Sequence, residues 1–162
     1  MATLLLGGQL LHHWRDRLAA DPAWGGTVRA IYARLGLPLY PAWPLAAYEI
    51  RSVKAIADSS APGALDIVAE VAVGGSRPVG LPMVRVVLRD RWSNTVASGV
   101  FDASRYLAEA MPADENYAPG TLIPMHITLT DPGTAAQGYE LDVCIPDRLA
   151  GLQCKAAGDP FR

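Results

Sequence analysis

Three features of this 162-residue sequence predict a mainly β fold, an antiparallel sandwich behind a short helical hairpin. From about residue 45 onward, apolar side chains recur at every second position, the period of a half-buried strand. The chain's 15 glycines and 13 prolines help divide that stretch into short runs, at the spacing of turn-linked strands. No helical pattern long enough for a βαβ crossover separates the runs.

Residues 1–40 read differently from the rest. Leu11, Trp14 and Leu18 follow the i, i+3, i+7 spacing of one helical face, with His12, Arg15, Asp16 and Arg17 on the others. Asp21-Pro22 then resembles an N-cap followed by a first-turn proline. Trp24, Val28, Ile31 and Leu35 form a second stripe. Gly25-Gly26 weakens its start by about 1 kcal/mol per glycine relative to alanine, which moves the expected helix start to Thr27. Gly36 fits the residue just past the helix end, and Pro38 and Pro41 prevent continuation. The expected apolar stripes pack on the sandwich or join two copies of the chain.

The strands follow in order. Tyr48 and Ile50 open the first, which runs to about Ala57, and Ser59 to Gly63 forms a turn cluster. Leu65, Ile67, Ala69, Val71 and Val73 alternate through the second, and Val84, Val86 and Leu88 through the third. Asp90 to Asn94 makes a turn into a strand at Thr95 to Phe101. Ser104 to Glu109 reads as one helical turn, and Met111 to Gly120 as an irregular loop. Ile123, Met125, Ile127 and Leu129 mark the fifth strand, Gly138 to Pro146 the sixth, and Leu152 to Lys155 its return partner. Tyr139 and Phe101 are the expected large core members. Residues 45–162 therefore read as an immunoglobulin- or fibronectin-like sandwich, with a closed barrel as its rival.

Composition narrows the function classes. With 51% apolar and 19% charged residues the chain can bury a core, and a net charge of −2 gives nucleic acid or an anionic membrane nothing to attract. These figures exclude collagen, coiled coil, basic nucleic-acid binder and multi-pass membrane protein. No run reaches the ~20 apolar residues that cross a bilayer. Leu4 to Leu11 reads either as the tail of a membrane helix, with Trp14 and Arg15 at the interface, or as the first turns of an amphipathic helix.

The two cysteines, Cys144 and Cys154, flank a turn centred near Leu149. Facing positions of an antiparallel pair bring such residues within disulfide range, which implies an oxidising compartment. The other reading is a pair of reduced, half-buried thiols.

Candidate chemistry is sparse. His12 and His13 are adjacent and point to different helix faces, without the i, i+4 spacing that chelates one ion. His126 falls on the solvated face of its strand. No G-x-S-x-G elbow surrounds Ser76, and Gly74-Gly75 matches no phosphate-binding loop, so no cofactor is expected. Asp114-Glu115 reads as a solvated loop pair. Arg85, Arg89 and Arg91 run along one strand face toward Trp92, either as an anion or partner contact or as a charged outward face.

Gln9 through Ala19 resembles the opening of an uncharacterised bacterial domain, domain of unknown function 3426, which follows a zinc-ribbon and a single membrane helix. Further resemblances come in order: Leu35-Gly36 before Leu37-Pro38, Leu45 through Ser52, Pro62 through Leu65, and Leu81-Pro82-Met83 leading to Leu88. Val96-Ala97 with Val100-Phe101, Tyr106-Leu107 and Gly138 through Leu141 complete the set. Leu37 stands where such domains often carry cysteine, and Val79-Gly80 replaces a proline-glutamine pair. The resemblance implies no catalytic residues, and without a CxxC it carries over neither zinc binding nor thiol exchange. It does imply a domain anchored at the periplasmic face of the inner membrane.

The expected function is thus a non-catalytic extracytoplasmic interaction or sensing module of a membrane-anchored protein. Its expected partner is an unidentified protein, with no nucleic acid, membrane contact only through a helix upstream, and homo-oligomerisation open. The alternatives are a cytosolic small-ligand-binding or enzymatic domain with its site under the helical hairpin, or an assembly unit that adds strands edge to edge.

Overall fold

The structure, a computed structural model, describes residues 2–57, 63–107, 111–113, 115–149 and 151–156. Most of the predicted Ser59 to Gly63 turn, Asp114, and the end of the helical turn predicted for Ser104 to Glu109 lie outside the described residues.

Among the described residues, seven strands form two antiparallel sheets. β1 (Tyr48–Ala57), β2 (Ala64–Val73) and β5 (Leu122–Thr130) make one, in the order β1-β2-β5. β3 (Met83–Arg89), β4 (Thr95–Phe101), β6 (Gly138–Asp147) and β7 (Gly151–Cys154) make the other, in the order β4-β3-β6-β7. The alternating residues of β2, β3, β5 and β6 meet between the layers. Ile67, Val71, Val84, Val86, Ile123, Met125, Ile127 and Val143 are all essentially inaccessible to water there. The fold is therefore the mainly β sandwich that the period-two pattern predicts.

The large core members need correction. Phe101 is buried, but Tyr139 is 40% exposed, because it is the second residue of β6 and stands at the margin of the sheet. Tyr48 and Tyr106 take its place. Their hydroxyls donate to the carbonyls of Gly80 and Pro82, each at 2.7 Å. Both oxygens belong to the connection between β2 and β3, so two buried phenols pin that loop and satisfy its carbonyls. Gly80 also lies flat against Trp43, whose ring atoms would be 2.2 Å from any Cβ there. Tyr106 is carried by a single turn, α4 (Ala103–Tyr106).

The N-terminal region holds three helices where a pair is expected: α1 (Ala2–His13), α2 (Arg15–Ala20) and α3 (Gly25–Arg34). α1 and α2 run on through Trp14, which keeps backbone hydrogen bonds to Leu10 and Leu18. The Asp21 carboxylate accepts from Ala23 and Trp24 N–H in the turn between α2 and α3, but Trp24, with no side-chain cap, takes the N-cap position expected of Asp21. α3 starts at Gly25 and not at Thr27. A Cβ at Gly25 would lie 2.6 Å from the Ala19 carbonyl, so this glycine lets α2 and α3 approach closely. Gly36, at φ +65, ends α3 in the paired hydrogen bonds of a Schellman turn (Gly36 N–H to Ala33, Leu37 N–H to Tyr32).

The expected apolar stripes are only partly what these helices bury, Val28 being buried and Leu18 half-buried against it. Trp14, Leu11, Trp24, Ile31 and Leu35 are exposed, and the small helical core is Ala19, Val28 and Tyr32. The close α2–α3 contact through Ala19 and Gly25 sets the rotation that turns the large side chains outward. Polar groups attach the helices to the sandwich. Asp16 pairs with Arg148 of the β6–β7 turn and accepts from Tyr40 N–H, while Arg29 donates to Asn116.

Candidate functional site

The outer face of the four-stranded sheet brings together most of the residues that sequence singles out. Alternation puts Arg85 and Arg89 of β3 outward, and the β3–β6 register sets Arg85 against Asp142 and Val87 against Glu140. Arg85 Nη2 donates to Asp142 Oδ2 at 2.8 Å, and Arg89 reaches Glu140 through Nε (3.1 Å) and Nη2 (2.9 Å). Asp142 is only 4% exposed and also accepts from Ala156 N–H at 2.9 Å. Two of the three arginines are thus engaged within the sheet. Glu140 and Asp142 were missed in the sequence, although their i, i+2 spacing puts both on one face of β6.

Arg91 and Trp92 are elsewhere. They sit in the β3–β4 turn, where Asp90 gathers the Trp92 and Asn94 N–H groups and the Asn94 amide. Hydrogen bonding from the Asn94 side chain holds the Asp90 carboxyl below its usual range. Trp92 is 66% exposed, and the Arg91 guanidinium lies 3.9 Å above its ring. The stacking holds the guanidinium against the indole face.

Cys144 and Cys154 face each other across β6 and β7 and are joined in a disulfide. Their alternation with Asp142 puts the crosslink on this same outer face, within one sheet. Asp142, Cys144 and Cys154 lie within 4.8 Å of one another. With both sulfurs in a disulfide and the carboxylate held by Arg85, that cluster offers no thiolate to a metal.

The histidines are separate. His12 Nδ1 lies 3.1 Å from the Tyr32 hydroxyl, and the two rings stack. His126 Nε2 lies 3.1 Å from Asp66, which also accepts from the Thr128 hydroxyl at 2.7 Å. A hydroxyl–histidine–carboxylate relay needs the imidazole between the other two groups. Here the carboxylate is in the middle, on an open strand face and outside both clefts described next.

Two clefts flank the strap that joins the helices to β1. One, of about 600 Å³, lies between α1–α2 and the β6–β7 turn and is lined by Trp14, Arg17, Tyr40, Trp43, Asp147 and Arg148, among others. The other, of about 510 Å³, is more apolar and lies between Trp43 and the Gly74–Val79 loop. The first occupies the place under the helices that sequence leaves open for a ligand.

The fold and site define a seven-stranded immunoglobulin- or fibronectin-like sandwich with an N-terminal helical segment, an outer face of paired charges and an aromatic hairpin tip. The family model for "Protein of unknown function (DUF3426)" matches residues 45–143, from just before β1 into β6, and the chain belongs to that family. No curated protein and no solved structure matches the chain.

Proposed function

We propose that this chain is a non-catalytic interaction or sensing module that works outside the inner membrane as part of a membrane-anchored protein. The Cys144–Cys154 disulfide is the observation that carries the reading, since crosslinks of this kind persist in oxidising compartments. The surface supports it too. The projecting Arg91–Trp92 pair and the Arg85–Arg89 face present contact groups for a protein partner. Leu6, Leu10, Leu11 and Trp14 leave an apolar flank on the helices, next to Arg15 and Arg17, in the manner of a membrane-proximal segment. No helix among the described residues is long and apolar enough to cross a membrane, so the anchor in this reading lies upstream.

The cleft under α1 and α2 favours a second reading, a cytosolic domain that binds or processes a small ligand. Thiol trapping separates the two. Cells that express the native full-length protein are acid-quenched and alkylated with a large maleimide before and after reduction. The extracytoplasmic reading requires that both cysteines react only after reduction, and that protease added to spheroplasts degrades the domain. Two free thiols with protease protection would overturn it in favour of the cytosolic one.

A further inference from the structure

We propose that the helical segment rests on an anionic lipid surface, with α1–α2 and α3 side by side in the headgroup layer. The proposal deepens the membrane-proximal part of the reading above and rests on it. Its starting point is the direction in which the large helical side chains turn. His12 lies against Tyr32 and Ala19 against Gly25, so α1–α2 and α3 run antiparallel. Asp16 and Arg29 mark the side of each that is tied to the sandwich, to Arg148 and to Asn116. At 3.6 residues per turn, Leu10, Leu11 and Trp14 come roughly 120–160° round the axis from Asp16. Trp24, Ile31 and Leu35 come round from Arg29 by roughly the same angle.

With Ala19, Val28 and Tyr32 packed between the helices, both sets turn to the side away from the sandwich. All six side chains are about half exposed or more, although Trp14 also borders the first cleft. Together they exceed the patch of a few hundred Å² that a soluble monomer ordinarily shows.

Charge names the occupant. The net −2 of the chain is unevenly divided. Residues 1–40 hold Arg15, Arg17, Arg29 and Arg34 against Asp16 and Asp21, a balance of +2 that leaves −4 on the rest. Neither acid lies on the apolar side. Asp16 pairs with Arg148, and Asp21 sits in the α2–α3 turn, where it lines the second cleft. Arg17, seven residues past Leu10 and so on the same stripe, is exposed, its guanidinium 4.8 Å from the Trp14 ring centroid. Arg34 is exposed one turn past Ile31. Leucine, isoleucine and tryptophan flanked by arginine bury their apolar parts at the acyl boundary while the guanidinium stays with phosphate. The −4 remainder is repelled by the same surface, so anionic lipid selects this side of the molecule. No helix among the described residues is long and apolar enough to cross a membrane, so the contact runs along the surface.

Co-sedimentation of the whole chain with vesicles tests this at low ionic strength, where surface charge acts in full. Vesicles of about three parts phosphatidylcholine to one of phosphatidylglycerol should bind at least about fivefold more tightly than phosphatidylcholine alone. That difference should vanish in about 0.5 M salt. Trp24→Ser/Ile31→Ser/Leu35→Ser should weaken binding at least about tenfold. Arg17→Gln/Arg34→Gln should weaken it about tenfold on the mixed vesicles and leave binding to the neutral ones unchanged. Trp92→Ser, in the β3–β4 turn, should bind as wild type does. All the substituted side chains are exposed and circular dichroism checks folding, so the arginine pair serves if the apolar triple variant does not fold. A folded wild type that binds neither vesicle would overturn the proposal. So would equal binding to both, or binding that the two helical variants leave intact. A dimer in sedimentation velocity that the apolar variant abolishes, without vesicle binding, would overturn it in favour of a second copy. Vesicle binding is indifferent to compartment and thiol state, so failure here and failure in the thiol-trapping experiment are told apart.

Discussion

Replacing Arg85 with methionine separates an intramolecular role for this arginine from a purely external one. The guanidinium is a principal partner of a carboxylate that is 4% exposed, at 2.8 Å, and without it Asp142 keeps the Ala156 N–H. Removing one member of a fully buried pair costs about 3–5 kcal/mol. Arg85 itself is 32% exposed, so water reaches the vacated position and the expected loss falls to about 2–3 kcal/mol. For a domain of this size that is a fall in Tm of about 4–12 °C. Urea titration and calorimetry at neutral pH measure it. Arg85→Met/Asp142→Leu, which leaves no orphaned charge, should recover at least half of the loss, while Arg91→Met changes stability by less than about 0.5 kcal/mol. An Arg85→Met variant as stable as wild type would refute the reasoning and return Arg85 to the solvent-facing role.

Three further outcomes are expected. Reducing the disulfide, whose cysteines are 10 residues apart, should cost about 2.7 kcal/mol by loop closure, read as a lower urea midpoint in a phosphine reductant. Burial raises the Tyr48 and Tyr106 hydroxyls above the ordinary tyrosine range. A raised folded-state value gives stability that is complete below the unfolded pKa of about 10 and is lost as pH climbs beyond it. Alkaline unfolding should begin there, and Tyr106→Phe should lessen the pH dependence while costing about 1–3 kcal/mol for the stranded Pro82 carbonyl. Gly25→Ala should destabilise the helical segment by about 1–3 kcal/mol, because its Cβ meets the Ala19 carbonyl. Gly26→Ala, with open space around it, should be neutral or stabilising by thermal melt.

The sandwich was legible because the strands that build its core, β2, β3, β5 and β6, obey one rule, while the breaks in register fall on the edge strands β1 and β4. Ile67 and Ile127 face inward for the same reason that Asp66 and His126 face outward, and no tertiary detail alters that alternation. The helices lacked such redundancy. Val28 sits in the predicted stripe with Trp24 and Ile31, yet it alone of the three is buried, because the rotation of α3 is fixed by backbone contact at Gly25 and not by the largest side chains. Sequence marked that glycine as a weak point where packing makes it a contact. The outer face was half legible. The arginines stood out, but their partners Glu140 and Asp142 are about fifty residues away, and only the β3–β6 register brings them together. Tyr48 and Tyr106 were not recognised as core because a phenol's burial depends on a carbonyl acceptor that local pattern does not reveal.

The position of the disulfide has a mechanical corollary. Antibody domains stitch their two layers together through a cystine that spans the core, whereas here the sulfur bridge fastens the last two strands to each other. Under tension along the chain, β6 and β7 would come away as one riveted strip. The β1-β2-β5 layer has no covalent stop and would peel from the opposite layer first, giving the domain a compliant half and a stiff half.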